Sequence, residues 1–474
     1  MSEPATAAPK GSGLGGGYKA YALLILVGVY TSNFIDRQII GTLGQAIKVD
    51  LKLTDLELGA LSGIAFAILY SLIGVPIARI AERRSRTTII AISIGLWSAF
   101  TAGCGLATNF LQLFLTRVGV GIGEAGCSPP AQSLISDYFS PRNRSTALGI
   151  YSLGIPLGSL FGALLGGKIA QLWGWRDAFF IVGLPGLLLA IIIKLTLKEP
   201  PRGGYDTVAS DGPAPSFGAV LKKLFAAKSF PNLAAGATLG SLAGYGVAFF
   251  AVPYLLRGPF HLDIAQAGAA YGIVGGLAAA VGVFLGGAVT DLIGRMSRTG
   301  YAVIPALGFL ACSPLYVWAF QQDDLATLAS LIIAPLILQY LYLGPTFALT
   351  HNFVEPRMRA TATALLFLPI NLIGLGVGPP LVGWLSDTIA GRYFVAHAHD
   401  PRFKAICPGG KAAAHLPVDF HWTASQTGDL CHAASFHGVK WAIIIVSGVV
   451  FAWAGLHYLL AARTVKRDLA AAAT

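Results

Sequence analysis

The sequence predicts an all-α membrane protein of twelve transmembrane helices arranged as two six-helix bundles, and three observations predict it. Apolar runs of twenty or more residues recur along the 474-residue chain, each long enough to cross a hydrocarbon core of about 30 Å as a helix. Only 12% of residues are charged while 55% are hydrophobic, and the mean hydropathy is +0.67. A soluble globule carries roughly twice that charged fraction, so a water-soluble enzyme or binding module is excluded. The third observation is an internal repeat: Pro141-Arg142-Asn143-Arg144-Ser145-Thr146-Ala147 returns 215 positions later as Pro356-Arg357-Met358-Arg359-Ala360-Thr361-Ala362, with five of seven residues identical.

Residues 1–19 are short, Gly-rich and polar, and the first apolar run is too long for a cleavable signal; they are expected to form a flexible cytoplasmic tail. The first six helices are expected near 20–44, 55–80, 87–107, 110–139, 144–171 and 177–197. The second six are expected near 230–256, 264–293, 299–320, 325–352, 358–389 and 438–462. The N-terminal bundle thus covers 20–197 and the C-terminal bundle 230–463, with a tail at 464–474. Between the bundles, 198–229 crowds Pro200, Pro201, Gly203, Gly204, Pro213 and Pro215 into a polar stretch without helical period, as a linker does. A long external loop is expected over 391–436.

The net charge of +11 comes from basic residues lying between the apolar runs, where they report topology rather than affinity for nucleic acid. With the termini cytoplasmic, the cytoplasmic segments hold 21 Lys and Arg and the opposite loops ten, and Arg37 and Arg117 lie within spans. Both termini are therefore expected inside.

The turns carry a second repeat. Ala78 through Glu82-Arg83 to Arg86 after the second helix corresponds to Gly287 through Asp291 to Arg295 after the eighth. An acid followed by arginines at a helix end can pair with a neighbouring helix and latch one state of a rocking bundle, so Glu82, Arg83, Arg86, Asp291 and Arg295 are the expected conformational latch. Gly287-x-x-x-Asp291-x-x-Gly294-Arg295 resembles the signature turn of the major facilitator superfamily, and the first copy is a degenerate version. Arg117-Val118-Gly119-Val120-Gly121-Ile122-Gly123-Glu124-Ala125 is similar to its arginine-glycine motif. Gly149, Gly154, Pro156, Gly158 and Gly162 resemble its glycine-proline motif, whose small residues let helices approach closely.

Within that superfamily, Asn33-Phe34-Ile35-Asp36-Arg37, Gly121-Ile122-Gly123-Glu124-Ala125 and Ile155-Pro156-Leu157-Gly158-Ser159 look like the spinster subfamily. The resemblance implies the major facilitator fold, alternating access, and an anionic amphiphile such as a lysophospholipid or sphingosine-1-phosphate-like lipid as substrate. An Asp-Arg pair in the first helix also occurs in the organic-anion branch, which implies a sugar acid or similar small anion instead. A transporter-like membrane receptor is the alternative of a different class.

Four ionisable residues lie far from any loop: Asp36 and Arg37 in the first helix, Arg117 and Glu124 in the fourth. An unpaired charge at this depth costs roughly 3 kcal/mol or more, so these groups are expected to face a cavity or one another. Arg117 and Glu124 are seven apart, nearly on one helix face with about 10 Å of rise between them. A carboxylate there can take up a proton and reionise when water or an arginine reaches it. Asp36 and Glu124 are the expected proton-coupling residues, with Arg37 and Arg117 as counter-charges or head-group donors; the competing reading is a static salt-bridge network. The second half offers Tyr245, Phe249, Tyr340, Tyr342, Thr346 and Phe347 as cavity lining, although ordinary helix packing accounts for aromatic residues equally well.

No strand precedes the Gly119–Gly123 repeat, so it is no nucleotide loop, and no catalytic or metal-ligand constellation has usable spacing. The expected partners are a small amphiphilic or anionic substrate, a proton and the lipid bilayer, with no nucleic acid, no cofactor and no metal, and the chain is expected to act as a monomer. The expected location is a plasma membrane, or the inner membrane of a bacterium. Cys104, Cys127 and Cys312 fall in apolar spans, where a thiol behaves as a small hydrophobe. Cys407 and Cys431 fall in the external loop, in an oxidising compartment. A Cys407–Cys431 disulfide is expected there, organising an otherwise long irregular segment without taking part in transport.

Overall fold

The structure, a computed structural model, describes residues 13–202, 216–355, 358–417 and 419–471. It is all-helical, and each predicted apolar run is a helical crossing. In the N-terminal bundle these are span 1 (Gly16–Leu51), span 2 (Asp55–Ser62 and Ile64–Arg83), span 3 (Arg86–Cys104), span 4 (Phe110–Ala125 and Ser128–Tyr138), span 5 (Pro141–Ser152 and Gly154–Trp173) and span 6 (Trp175–Thr196). In the C-terminal bundle they are span 7 (Phe230–Arg257), span 8 (Ile264–Met296), span 9 (Gly300–Ala319) and span 10 (Leu325–Tyr340 and Leu343–Asn352). Span 11 (Arg359–Pro369, a π turn Ile370–Leu375, and Gly376–Ala398) and span 12 (Ala424–Ile445, a π turn Val446–Val450, and Phe451–Ala471) complete it. Eleven stretches among the described residues are long and apolar enough to cross a membrane. Span 4 is not among them; it breaks at Gly126 and Cys127 into helices of 16 and 11 residues.

Local sequence explains where several spans begin. On the face opposite the termini, Thr54 with Glu57, Asp263 with Gln266, and Thr423 with Gln426 form capping boxes at the starts of spans 2, 8 and 12. Asn109 and Asp324 cap spans 4 and 10. Each cap satisfies amide groups that the first helical turn leaves without a partner.

Two stretches read as irregular contain more helix. Span 11 runs to Ala398 and span 12 starts at Ala424, so the loop between them shrinks to residues 399–423. The Thr423 box extends span 12 beyond its apolar run, and Leu430, Cys431 and Ala434 on the added turns bury against Phe394 and Ile406. In the linker, Ser216 caps a helix over Phe217–Ala226, whose Val220 and Leu224, four apart, are fully buried.

The bundles meet through seams in the half away from the termini. Span 5 packs on span 8, where a β-carbon at Gly167 would lie 2.6 Å from the Ile264 carbonyl oxygen and one at Gly268 2.5 Å from that of Ala163. Span 2 packs on span 11, with Gly59 against Pro379, Gly63 against Gly376, and Gly383 against the Asp55 backbone. Span 1 meets span 7 at Gly41 and Phe249. Such backbone-to-backbone contact needs small residues on both sides.

Candidate functional site

Span 4 owes its position to its three glycines. A β-carbon at Gly119 would lie 2.5 Å from the Phe100 ring, one at Gly121 2.7 Å from the Phe66 carbonyl oxygen, and one at Gly123 2.6 Å from the Trp97 amide nitrogen. The repeat is thus a packing seam that presses span 4 against spans 2 and 3 and directs Arg117 and Glu124 toward span 1. There Glu124 Oε2 accepts from Arg37 Nε at 2.7 Å. The Glu124 side chain is fully buried, whereas Arg37 keeps 20% of its side chain exposed within the membrane span, so interior space reaches the arginine. Its guanidinium carbon also sits 5.2 Å from the Phe34 ring centroid and 4.7 Å from those of Phe66 and Tyr70, an arrangement in which aromatic faces stabilise the cation.

Adjacent residues on a helix point about 100° apart, and Asp36 accordingly turns away from Arg37 into the N-terminal bundle beside Trp97 and Thr101. Asp36 and Arg117 are each 1% exposed. Their direct contact is Arg117 Nη1 donating to the Asp36 backbone carbonyl at 3.5 Å. The Asp36 carboxylate faces the Trp97 indole and the Thr101 hydroxyl, and Glu124 faces Asn33, but no hydrogen bond of good geometry forms among the described residues at either Asp36 carboxylate oxygen, Glu124 Oε1, Arg117 Nε or Asn33 Oδ1. The four expected residues therefore come together, in two layers: Arg37 and Glu124 at the interior space, Asp36 and Arg117 behind them. Arg117 lies too deep to meet a head group in this conformation.

Across the interface the six expected lining residues divide. Tyr245 is 39% exposed, and Tyr340 lines an apolar cavity with Tyr271, Leu336 and Gln339. Phe347 is half-buried and pairs with Phe367. Phe249 packs on Gly41, Tyr342 shares a 2.8 Å hydrogen bond with Ser241, and Thr346 shares one of 2.5 Å with Tyr458. These last three are buried packing groups. Gln339 Oε1 and the Tyr316 hydroxyl, both in the cavity wall, are buried without a hydrogen-bond partner among the described residues.

Of the residues expected to form a latch, Arg86 donates from Nε to Glu199 at 2.6 Å, from Nη1 to Ser133 at 2.8 Å, and forms an ion pair with Asp137. It ties span 3 to the end of span 4 and to the chain after span 6. Burial opposes ionisation of Glu199, but Arg86, the Thr87 amide and Ser85 hold its carboxyl below the ordinary range. Arg83 is exposed. The side chains of Glu82, Asp291 and Arg295 lie outside the described residues.

Sequence reasoning missed one cluster entirely. At the opposite face Asp55 of span 2 accepts from Arg257 Nη1 and Nη2 of span 7 at 2.7 Å each, from Lys48 Nζ of span 1 at 2.7 Å and from Ser386 Oγ of span 11 at 2.6 Å. Arg257 Nε donates to Gln45, and Asp387 accepts the Asp55 and Leu56 amides at 2.9 and 2.8 Å. The side chains of Lys48, Asp55 and Arg257 are at most 5% exposed. Read along the chain, each of these charges resembles an ordinary helix-end residue; no spacing links positions 55, 257 and 386. Cys407 and Cys431 are bonded nearby, with Cα atoms 5.5 Å apart. Cys104, Cys127 and Cys312 are free and buried. Among the described residues no group of three or more His, Cys, Asp or Glu is placed to hold a metal.

Two six-helix bundles joined by a linker, closed along one half and carrying an ion pair where interior space enters the other, define a membrane transporter of the secondary-carrier class. The chain belongs to the major facilitator superfamily, whose model matches residues 26–379. Within it the chain is similar to the spinster proteins. It is 29% identical over 380 residues to protein spinster of Drosophila melanogaster, covering 78% of this chain and 62% of that one. It is 32% identical to an MFS-type efflux pump of Mycolicibacterium smegmatis, covering 78% of this chain and 85% of the pump. It is 25% identical to a probable L-galactonate transporter of Escherichia coli, covering 77% and 83%. Among solved structures, a bacterial homologue of the human lysosomal transporter spinster, inward-facing and unoccupied, superposes with a TM-score of 0.87 at 33% identity, covering 96% of this chain and 99% of that one.

Proposed function

We propose that this chain is a proton-coupled secondary transporter that moves an anionic amphiphile by alternating access, the two bundles rocking about the Arg37–Glu124 site. One observation carries the reading: a cation reachable from interior space, on the N-terminal side, stands opposite a second half whose reachable surface is aromatic and aliphatic. A molecule with an anionic head and an apolar tail matches both walls. Arg37 receives the head, and Glu124 is the carboxylate it leaves when it does so. Similarity to the spinster proteins supports a lysophospholipid or sphingosine-1-phosphate-like substrate.

Asp36 is the better candidate for the proton. A buried carboxylate without a cation paired to its oxygens is costly when charged, and protonation removes that cost, whereas Glu124 already has its counter-ion. Cytoplasmic termini, a plasma-membrane or bacterial inner-membrane location and a monomeric state complete the reading, the first supported by the distribution of basic residues. Uptake of labelled lysolipid into proteoliposomes under an imposed pH gradient tests it. Transport driven by the gradient in the parent and lost in Asp36→Asn is the expected result; pH-driven transport unchanged in both Asp36→Asn and Glu124→Gln sinks proton coupling at these residues.

A second reading has its own support in the probable L-galactonate transporter relative and in the Asp36-Arg37 pair: a small organic anion needs only the charged wall. A competition panel separates the two. Displacement of label by sugar acids and not by lysolipids decides for the small anion.

A further inference from the structure

The Asp55 cluster joins both bundles. Lys48, Gln45 and Asp55 belong to the N-terminal bundle, and Arg257, Ser386 and Asp387 to the C-terminal one. The opposite face cannot open without parting Asp55 from Arg257 and Ser386. Directly over this layer lies a second contact between the bundles. The turn Pro408–Gly410, carried by the C-terminal bundle, sits on the end of span 1: a β-carbon at Gly409 would lie 2.8 Å from the Lys48 carbonyl oxygen and 3.3 Å from the Cα atoms of Val49 and Lys52. Gly409 has φ +66° and Gly410 φ +84°, so the turn reaches span 1 as bare backbone, in a conformation that side chains disfavour. Gly410 in turn lies near Ser435 and the Lys48 side chain. Lys48 thus belongs to both layers, its ammonium on Asp55 and its carbonyl under Gly409.

What fixes the turn is the disulfide. Cys407 immediately precedes it and is bonded to Cys431 of span 12. The Gly410 amide donates to the Cys407 carbonyl at 3.0 Å and the Ala413 amide to that of Ile406 at 2.8 Å. Ile406, Cys407, Leu430, Cys431 and Phe394 form a small core beneath it. The loop is therefore a rigid part of the C-terminal bundle whose tip rests on the N-terminal bundle.

We propose that the disulfide-held turn Cys407–Gly410 is a clasp on the opposite face, which seats on span 1 over the Asp55 cluster and favours the conformation closed on that side. It rests on the alternating-access reading above. The disulfide then has a role in the conformational cycle beyond ordering its own loop, and any loosening of the turn opens that face more often.

Pulsed spin-label distance measurements test this. Labels are attached to Leu106→Cys and Gln321→Cys, exposed positions on loops of the opposite face in different bundles, in otherwise intact protein in nanodiscs. The comparison is between this parent, Cys407→Ser/Cys431→Ser, Gly409→Ala and Asp55→Ala, each checked for folding by its melting transition. Gly409→Ala keeps the disulfide and adds one methyl group against span 1. The expected result is a long-distance, open population at least about tenfold larger in both clasp variants than in the parent. A shift in only one of the two overturns the clasp, because the turn must be both bonded and seated. An open state that appears in Asp55→Ala but in neither clasp variant also overturns it, leaving alternating access intact. A face as closed in all three variants as in the parent fails both the clasp and the alternating-access reading on which it rests.

Discussion

The interior site and the opposite-face cluster are both built from buried acids and bases, yet they are finished to different degrees. Asp55 has four side-chain hydrogen bonds from three donors in three other spans, and its backbone amide is taken by Asp387. In the interior, Glu124 has one oxygen in a hydrogen-bonded ion pair, and Asp36 has no ion pair, only the neutral Trp97 and Thr101 side chains beside its carboxylate. Saturated groups resist change, because every bond must be broken together; incomplete ones leave room for a proton or a ligand to complete them. The difference separates the part of the molecule that holds a conformation from the part that responds to what binds.

The largest effect that could break this comparison is on stability. Asp55→Ala leaves Lys48 and Arg257 buried without their counter-ion, and removing one partner of a buried pair costs roughly 3–5 kcal/mol. The variant is expected to melt well below the parent in detergent. Asp36→Asn, which keeps the side chain's shape and breaks no ion pair, is expected to melt within about 1 kcal/mol of the parent or above it. Equal destabilisation by the two would erase the distinction between the sites.

Binding gives the next effect. Arg37→Ala is expected to weaken binding of a labelled anionic amphiphile by about tenfold or more, equivalent to 1.4 kcal/mol, as for a lost charge-assisted hydrogen bond. Arg117→Lys, which keeps the charge behind Asp36, is expected to weaken it by less than about threefold. Equilibrium binding to purified protein measures both, and the reverse order would put Arg117 at the head group.

How much of this was legible in the sequence differs by level. The crossings were legible because hydropathy over twenty residues is a strong, local signal, and the six-plus-six division followed from a turn repeated 215 positions on. The start of span 12 was not, because polar residues such as Thr423 and Gln426 build helix through capping rather than through apolar periodicity. Arg37, Glu124, Asp36 and Arg117 stood out because charge inside an apolar run is costly wherever it occurs. That Asp36 and Arg37 would face different layers follows from their being adjacent on a helix, but which faces the space depends on where span 4 packs. Lys48, Asp55, Arg257 and Asp387 escaped notice because charges at helix ends are ordinary; only the folded chain, by burying them together across the bundle interface, makes them unusual.

The smallest effect sharpens the comparison at the rim of the opposite face, where charges meet water. In the loop after span 11, Arg402 donates to Asp400 at 2.6–3.1 Å and to Asp419 at 2.9 Å, and these hydrogen bonds hold both carboxyls below the ordinary carboxylate range. A carboxyl that ionises more readily folded than unfolded stabilises the folded loop above its unfolded value, near 3.9 for Asp, and that contribution is lost as pH falls through the folded value. Arg402 and Asp419 are open to solvent, which screens the gain, so the change is small. Hydrogen exchange over residues 399–423, corrected for the intrinsic pH dependence of exchange, is expected to show constant protection from pH 7 to 5 and a decline below about pH 4. Arg402→Gln removes the common partner and is expected to flatten that decline. A decline of the same size in the variant would assign the acid sensitivity to groups other than the Arg402 ion pairs.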